Sequence, residues 1–212
     1  MLFAIFGVDP LFIVPWIVTI LLSIGVHEFA HALAGYWQGD DTAQRQGRLT
    51  LNPIAHVDWL GLMLLLVIGF GWGKPTPFNP YNLKYKKWGS ALVSVAGPIS
   101  NVIMVLVALI VFKVLGFIHI DWSLSTNLLE VFLLFMVQLN VVLFVFNLIP
   151  VPPLDGSKVL YTFLGYKRQA LIQMLETQGP WLLLIVIIFG QGILSWIISF
   201  VMTLLYALFG II

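Results

Sequence analysis

Four stretches of the chain, residues 16–37, 88–113, 128–149 and 181–209, each carry at most one Asp, Glu, Lys or Arg. A helix needs about 20 apolar residues to cross the hydrocarbon core of a bilayer, and each stretch is long enough. In lipid the backbone amides of such a segment have no water to bond, so they pair within a helix. Composition agrees: 60% of the 212 residues are hydrophobic and 9% are charged, against about 25% charged in a typical soluble domain. That polar surface is too small to coat a globule in water. The sequence predicts an all-α polytopic membrane protein, a single domain over residues 1–212, with core helices at about 16–37, 88–113 and 128–149 and a C-terminal helix at about 181–209 that is either one tilted helix or a pair broken at Gly190-Gln191-Gly192. The stretch Met1 to Pro10 has no Lys or Arg ahead of the first apolar run, which argues against a cleaved signal peptide. A net charge of +1 gives no electrostatic case for nucleic acid, and the lack of cysteine excludes thiolate metal sites, disulfides and a cysteine nucleophile.

A fifth apolar stretch, 57–73, is short and ends in a cluster of Gly and Pro that does not continue a helix. If it crosses the membrane, Lys74, Lys84, Lys86, Lys87, Lys158, Lys167 and Arg168 face Arg45, Arg48 and Lys113, a split of 7 to 3. If it dips in and returns, Arg45 and Arg48 join the larger set and the split becomes 9 to 1. Basic residues collect on the cytoplasmic side, so dipping is preferred: four full spans plus the dip, with five or six spans as the alternative. The N-terminus then lies outside and the long basic loops lie in the cytoplasm. Trp16, Trp37, Trp59, Trp72, Trp88 and Trp181 stand near the ends of these segments, where interfacial aromatics belong.

The chemistry sits inside the first span, at His27-Glu28-Phe29-Ala30-His31. Histidines four apart share one helical face, about 6 Å apart along the axis, and both imidazoles reach one tetrahedral Zn²⁺. The neighbouring Glu28 then activates a zinc-bound water, whose pKa the metal lowers to near 7. An ionisable group at a helix centre costs about 2.5–3.5 kcal/mol on insertion scales, so such groups mark function by default. The bland alternative is a polar cluster that glues helices together or lines an ion path.

Catalytic zinc usually takes three protein ligands and keeps one position open, and no third ligand follows on the same helix. Asp155, in Asn147-Leu148-Ile149-Pro150-Val151-Pro152-Pro153-Leu154-Asp155-Gly156, is the candidate. Three prolines break the backbone near membrane depth, which is tolerated only beside protein or a watery cavity. The alternative role is helix capping in an interfacial loop. His27 and His31 lie in the second half of their span, and Asp155 lies just past the end of its own. They meet only if those spans run parallel, which again requires residues 57–73 to turn back. The site would then sit roughly 10 Å below the cytoplasmic face.

Together these residues resemble the site-2 protease family of intramembrane zinc metalloproteases, peptidase family M50, in its compact prokaryotic branch without PDZ or CBS domains. His27-Glu28-x-x-His31 is similar to the family's zinc and catalytic-base motif, and Asn147-x-x-Pro150-x-x-Pro153-Leu154-Asp155-Gly156 to its second motif. Ala96-Gly97-Pro98-Ile99-Ser100-Asn101 resembles the start of the intervening core helix. Residues 51–58 and 71–75 resemble the compact branch. The resemblance implies one zinc per chain on His27, His31 and Asp155, with Glu28 activating water. It also implies a dipping segment after the first core helix, and membrane-spanning substrates cut in or near the bilayer in regulated intramembrane proteolysis. The expected location is the inner membrane of the cell, multi-pass, with the site near the cytoplasmic face.

Other polar residues have weaker cases. Asn147 is a candidate for hydrogen bonding substrate backbone or the developing oxyanion. His56 and Asn101 are candidates for a supporting shell, although a structural loop role for His56 and a packing role for Asn101 stay open. Asn140 reads as packing, and His119, beside Asp121, as solvated. Gly35 and Gly39 permit a close helix approach or a flexible helix end. Rival readings are a metal-ion transporter, a silent scaffold of the same fold, and a zinc protease using Glu130 or Glu176 as third ligand.

Overall fold

The apolar runs fold as helices, and the three side chains with metal-binding geometry, His27, His31 and Asp155, gather towards one end. The computed structural model describes residues 10–68, 71, 73–117, 127–165 and 168–211, so Trp72, His119, Asp121, Lys167 and most of the N-terminal stretch lie outside the described residues. The helices are α1 (Ile13–Trp37), α2 (Trp59–Ile68), α3 (Gly89–Val114), α4 (Leu128–Asn147), α5 (Gly156–Leu164), α6 (Gln169–Phe189) and α7 (Gln191–Phe209), with single turns at Pro10–Phe12, Thr42–Arg45 and Pro53–His56. Among the described residues five helices, α1, α3, α4, α6 and α7, are long and apolar enough to span a bilayer. The protein is an all-α, multi-pass membrane protein.

α1, α3 and α4 form the core. Near one end Phe12, Trp16 and Ile20 pack against Val131 and Phe135 of α4, with the Trp16 and Phe135 rings edge-on at 5.2 Å. Trp16 is therefore a core residue rather than an interfacial one, whereas Trp37, Trp59 and Trp181 are exposed. Since α1 and α4 touch at their starts and deliver His27, His31 and Asp155 to one place beyond, they run parallel. α3 runs back between them, and Val105, Leu109 and Phe112 pack against Leu133, Val137 and Val141.

Parallel α1 and α4 require the intervening segment to return, and it does. The Lys74 N–H donates to His56 O at 2.9 Å, tying the exit of the dipping segment to its entrance. The ten residues of α2 between them rise only about 15 Å, half the hydrocarbon thickness. α1 ends in a Schellman turn, with Gly39 N bonded to Tyr36 O at 2.9 Å and Asp40 N to Gly35 O at 3.0 Å. Gly39 has φ +94°, a conformation that favours glycine. Gly35 has open space around it, so the glycine pair serves the helix end and not a close helix crossing.

Asp40 then ties the two loops of that end together. It accepts from Thr42 Oγ1 at 2.5 Å, Asn79 N at 2.7 Å and Asn82 Nδ2 at 3.0 Å. Burial pushes its carboxyl pKa up, but the hydrogen bonds from Thr42, Asn79 and Asn82 outweigh burial and hold it below its ordinary value. Its contribution to stability is therefore fully present above the unfolded-state pKa and is lost as pH falls through the lower folded-state value. Asp40→Ala is expected to cost about 2–3 kcal/mol, because buried donors lose a charged acceptor. Thermal unfolding in detergent checks this, and the difference from wild type should shrink under strong acid.

The C-terminal part takes the broken form of the two that the sequence leaves open, and it starts earlier than expected. In place of one helix over 181–209, the apolar run starts earlier, at Gln169, and breaks at Gly190 into α6 and α7. Gly190 forms the joint, donating to Val186 O at 2.8 Å and accepting from Leu194 N at 2.9 Å, and only glycine fits there because a Cβ would overlap Val186 O. Glu176 of α6 pairs with Lys158 of α5 at 2.6 Å. At the other end of the bundle Lys113 Nζ donates to Phe209 O at 2.7 Å. α6 and α7 in series thus run from the end of the bundle that holds α5 to the end that holds Lys113.

Candidate metal centre and active site

α1 supplies His27 and His31 from adjacent turns of one face, and the proline-broken backbone after α4 supplies Asp155. The two Nε2 atoms are 3.1 Å apart, and Asp155 Oδ2 lies 3.2 Å from His27 Nε2 and 3.3 Å from His31 Nε2. Among the described residues this is the one cluster of three His, Asp or Glu side chains with metal-binding geometry. Zinc held at 2.0–2.1 Å by tetrahedral ligands implies ligand separations of about 3.3 Å, the size of this triangle.

Hydrogen bonding shows what converges there. His31 Nδ1 lies 2.8 Å from Val93 O, and a carbonyl only accepts, so Nδ1 carries the proton and neutral His31 presents a bare Nε2. Asp155 opens α5 in the capping position, yet its side chain makes no capping hydrogen bond, and its buried Oδ2 has no hydrogen-bond donor. Electron pairs aimed at each other in a buried site repel, and a divalent cation turns that repulsion into ligation. The donor set therefore fits zinc.

Two glycines make room. A Cβ on Gly97 of α3 would lie 2.5 Å from His31 Nε2 and 2.6 Å from His27 Nε2, so only glycine lets α3 pass this close. A Cβ on Gly156 would overlap Leu148 O, so glycine lets the chain fold back after α4 and present Asp155 inward.

Glu28 lies beside the cluster on the wall of a cavity of about 470 Å³ that His27, His31 and Asp155 also line. Thr76 N donates to Glu28 Oε2 at 2.8 Å, and Thr76 Oγ1 donates to Glu28 O at 3.1 Å, which orients the carboxylate. Away from the cluster the walls are apolar: Ile20 and Ile24 continue the face of Glu28 on α1, and Leu139 and Leu143 precede Asn147 on α4. Asn147 faces the cavity while its Nδ2 donates back to Leu143 O at 3.0 Å.

The remaining sequence candidates separate. Asn101 meets the cluster, with its Oδ1 2.6 Å from His27 Nδ1. His56 does not. It is fully buried in the loop before α2, its Nε2 2.9 Å from Thr50 O, because the hairpin tied by Lys74 packs around it. Glu176 is engaged by Lys158, and Glu130 lies in the first turn of α4, so neither joins the cluster. Thr76, Gly97 and Asn140, which touch Glu28, the imidazoles and Asn101 respectively, were not evident as site residues. Only the Ala-Gly-Pro string around Gly97 carried a signal.

Comparison with known proteins agrees with this chemistry. The family model of peptidase family M50 matches residues 113–189. The chain is 41% identical over 173 residues to YwhC of Bacillus subtilis (strain 168), a protein provisionally named a zinc metalloprotease, covering 80% of this chain and 78% of that one. It is 28% identical over 202 residues to Rip2 of Mycolicibacterium smegmatis, named in the same provisional way, covering 92% of this chain and 73% of that one. No solved structure matches it. The chain belongs to peptidase family M50, the site-2 protease family of zinc metalloproteases.

Proposed function

We propose that this zinc metalloprotease is an intramembrane endopeptidase: it hydrolyses peptide bonds of membrane-spanning substrates, with His27, His31 and Asp155 holding one zinc ion per chain and Glu28 as general base. One observation carries the reading. The His-His-Asp triangle and Glu28 open into a single cavity of about 470 Å³ whose other walls are mostly apolar, from Ile20 and Ile24 of α1, Leu139 and Leu143 of α4 and Phe78 of the returning segment, with Ser94, Asn147 and Lys158 among the polar exceptions. A pocket built that way suits an apolar segment arriving from lipid.

Bound at the triangle, zinc supplies Lewis-acid polarisation of water and of the scissile carbonyl. Glu28 accepts the proton of the attacking water and passes it to the leaving amine, and Thr76 N–H keeps the carboxylate aimed. A substrate helix must unwind to expose its bond, and its freed amides then need partners; Asn147, on the cavity wall, is one. The 9 to 1 split of basic side chains supports a site near the cytoplasmic face of the cell membrane.

The test is purification with metal analysis, followed by incubation with single-span peptides in bilayers and with unstructured soluble peptides. Wild type is expected to hold one zinc and to cut the spanning peptides. His31→Ala and Asp155→Ala are expected to lose most of the zinc. Unchanged zinc content in both would overturn the ligand assignment, and cleavage confined to soluble peptides would overturn the substrate class.

A further inference from the structure

We infer that Asn140, a residue that does not face the cavity, is a positioning residue that sets the proton on His27 through Asn101. The inference rests on the reading of His27 as a zinc ligand and goes one layer beyond it.

An imidazole can bind a metal through Nε2 only if its proton sits on Nδ1. For His31 a backbone carbonyl imposes this. For His27 the partner is the Asn101 carboxamide, and an amide can turn over and offer either its oxygen or its nitrogen. Offered as NH₂, it would draw the His27 proton to Nε2 and block ligation. Something must hold Asn101 the right way round.

Asn140 does so. It and Asn101 are fully buried. Asn140 Nδ2 donates to Met136 O at 2.8 Å and to Ser23 Oγ at 2.9 Å. Met136 O is a backbone carbonyl and accepts only, so it fixes the orientation of the Asn140 amide: turned over, two carbonyl oxygens would face each other. With Nδ2 so engaged, Asn140 Oδ1 accepts from Asn101 Nδ2 at 2.7 Å. That in turn leaves Asn101 Oδ1 to accept from His27 Nδ1 at 2.6 Å. The direction of every bond from Met136 O to His27 is thus determined by one acceptor in the α4 backbone. Partners of this kind raise ligand basicity, and losing one typically costs 10–100-fold in metal affinity.

Asn101→Asp provides the decisive background, because a carboxylate accepts on either oxygen and cannot present a donor to His27. In the wild-type background Asn140→Leu is expected to weaken zinc binding about 10-fold or more, read by chelator competition. In the Asn101→Asp background, where Asn140 Oδ1 faces a carboxylate oxygen in place of a donor, the same change is expected to cost no zinc affinity. An equal loss in both backgrounds would show a merely structural role and overturn the inference. Nitrogen-15 NMR of ring-labelled, metal-free wild type at alkaline pH tests it without a variant of the relay. His27, identified by its loss in His27→Ala, should show a protonated Nδ1 and a bare Nε2, and the opposite tautomer would sink the proposal. Zinc retained by His27→Ala would instead refute the underlying ligand assignment, so the two failures are distinguishable.

Discussion

Glu28→Gln is expected to keep its zinc and lose roughly 10²–10⁴-fold in the rate of peptide cleavage, the usual contribution of general acid–base catalysis. Glutamine has the same shape, and its amide oxygen still accepts from Thr76 N–H, which bonds Glu28 Oε2 at 2.8 Å in the native protein. The extended segment beside the site therefore stays docked. The triangle of His27, His31 and Asp155 does not include Glu28, so its donor set is unchanged. What disappears is the capacity to take a proton. Zinc stoichiometry and single-turnover cleavage of a spanning peptide, measured on one preparation, separate the two effects. Cleavage at the wild-type rate would remove Glu28 from the role of base.

Gly97→Ala is expected to act in the opposite manner, abolishing zinc binding in a protein whose helices remain intact. Alanine at an interior helix position is favoured over glycine by about 1 kcal/mol, so α3 itself gains. The added Cβ, however, would fall 2.5 Å from His31 Nε2 and 2.6 Å from His27 Nε2. Neither ring can swing aside cheaply, since His27 is held by Asn101 at 2.6 Å and His31 by Val93 O at 2.8 Å. The methyl group competes with the ion for the space in front of both electron pairs. Displacements of about 1 Å at a reacting centre cost roughly 10²-fold, and activity should fall at least that far. Metal analysis beside circular dichroism checks the pair of expectations, and a zinc-loaded, helical Gly97→Ala protein would contradict the close packing described.

Much of this was legible in the chain because it follows from one-dimensional rules. Span positions come from the length of apolar runs, and the His27/His31 pair from a helical period. Asp155 stood out because prolines at membrane depth demand a reason. Charge counting favoured the turn-back of residues 57–73, and the Lys74-to-His56 bond closes it. What escaped was whatever depends on two helices crossing. The role of Gly97 exists only because α3 passes the imidazoles. Asn140 looked like packing because no sequence rule says that it faces Asn101 rather than lipid. His56 looked eligible because a histidine near a polar mouth is indistinguishable from one folded into a loop. Gly190-Gln191-Gly192 left one tilted helix or a broken pair open, because glycine is tolerated in membrane helices and hydropathy reads straight through it; the structure has the broken pair.

The return of the dipping segment also fixes a parity. α1, α3, α4 and the α6–α7 tandem run the length of the bundle in alternating directions, with α1 parallel to α4, so Phe12, packed against Val131 at the start of α4, and Phe209, bonded to Lys113, lie at the same end. The sections that join helices at the other side, 38–58, 74–88 and 148–168, carry Asp40, Arg48, Thr76 and Asp155. Among the described residues the molecule is lopsided: most of its polar loop side chains, and with them the vocabulary for meeting soluble molecules, lie at one end of the bundle.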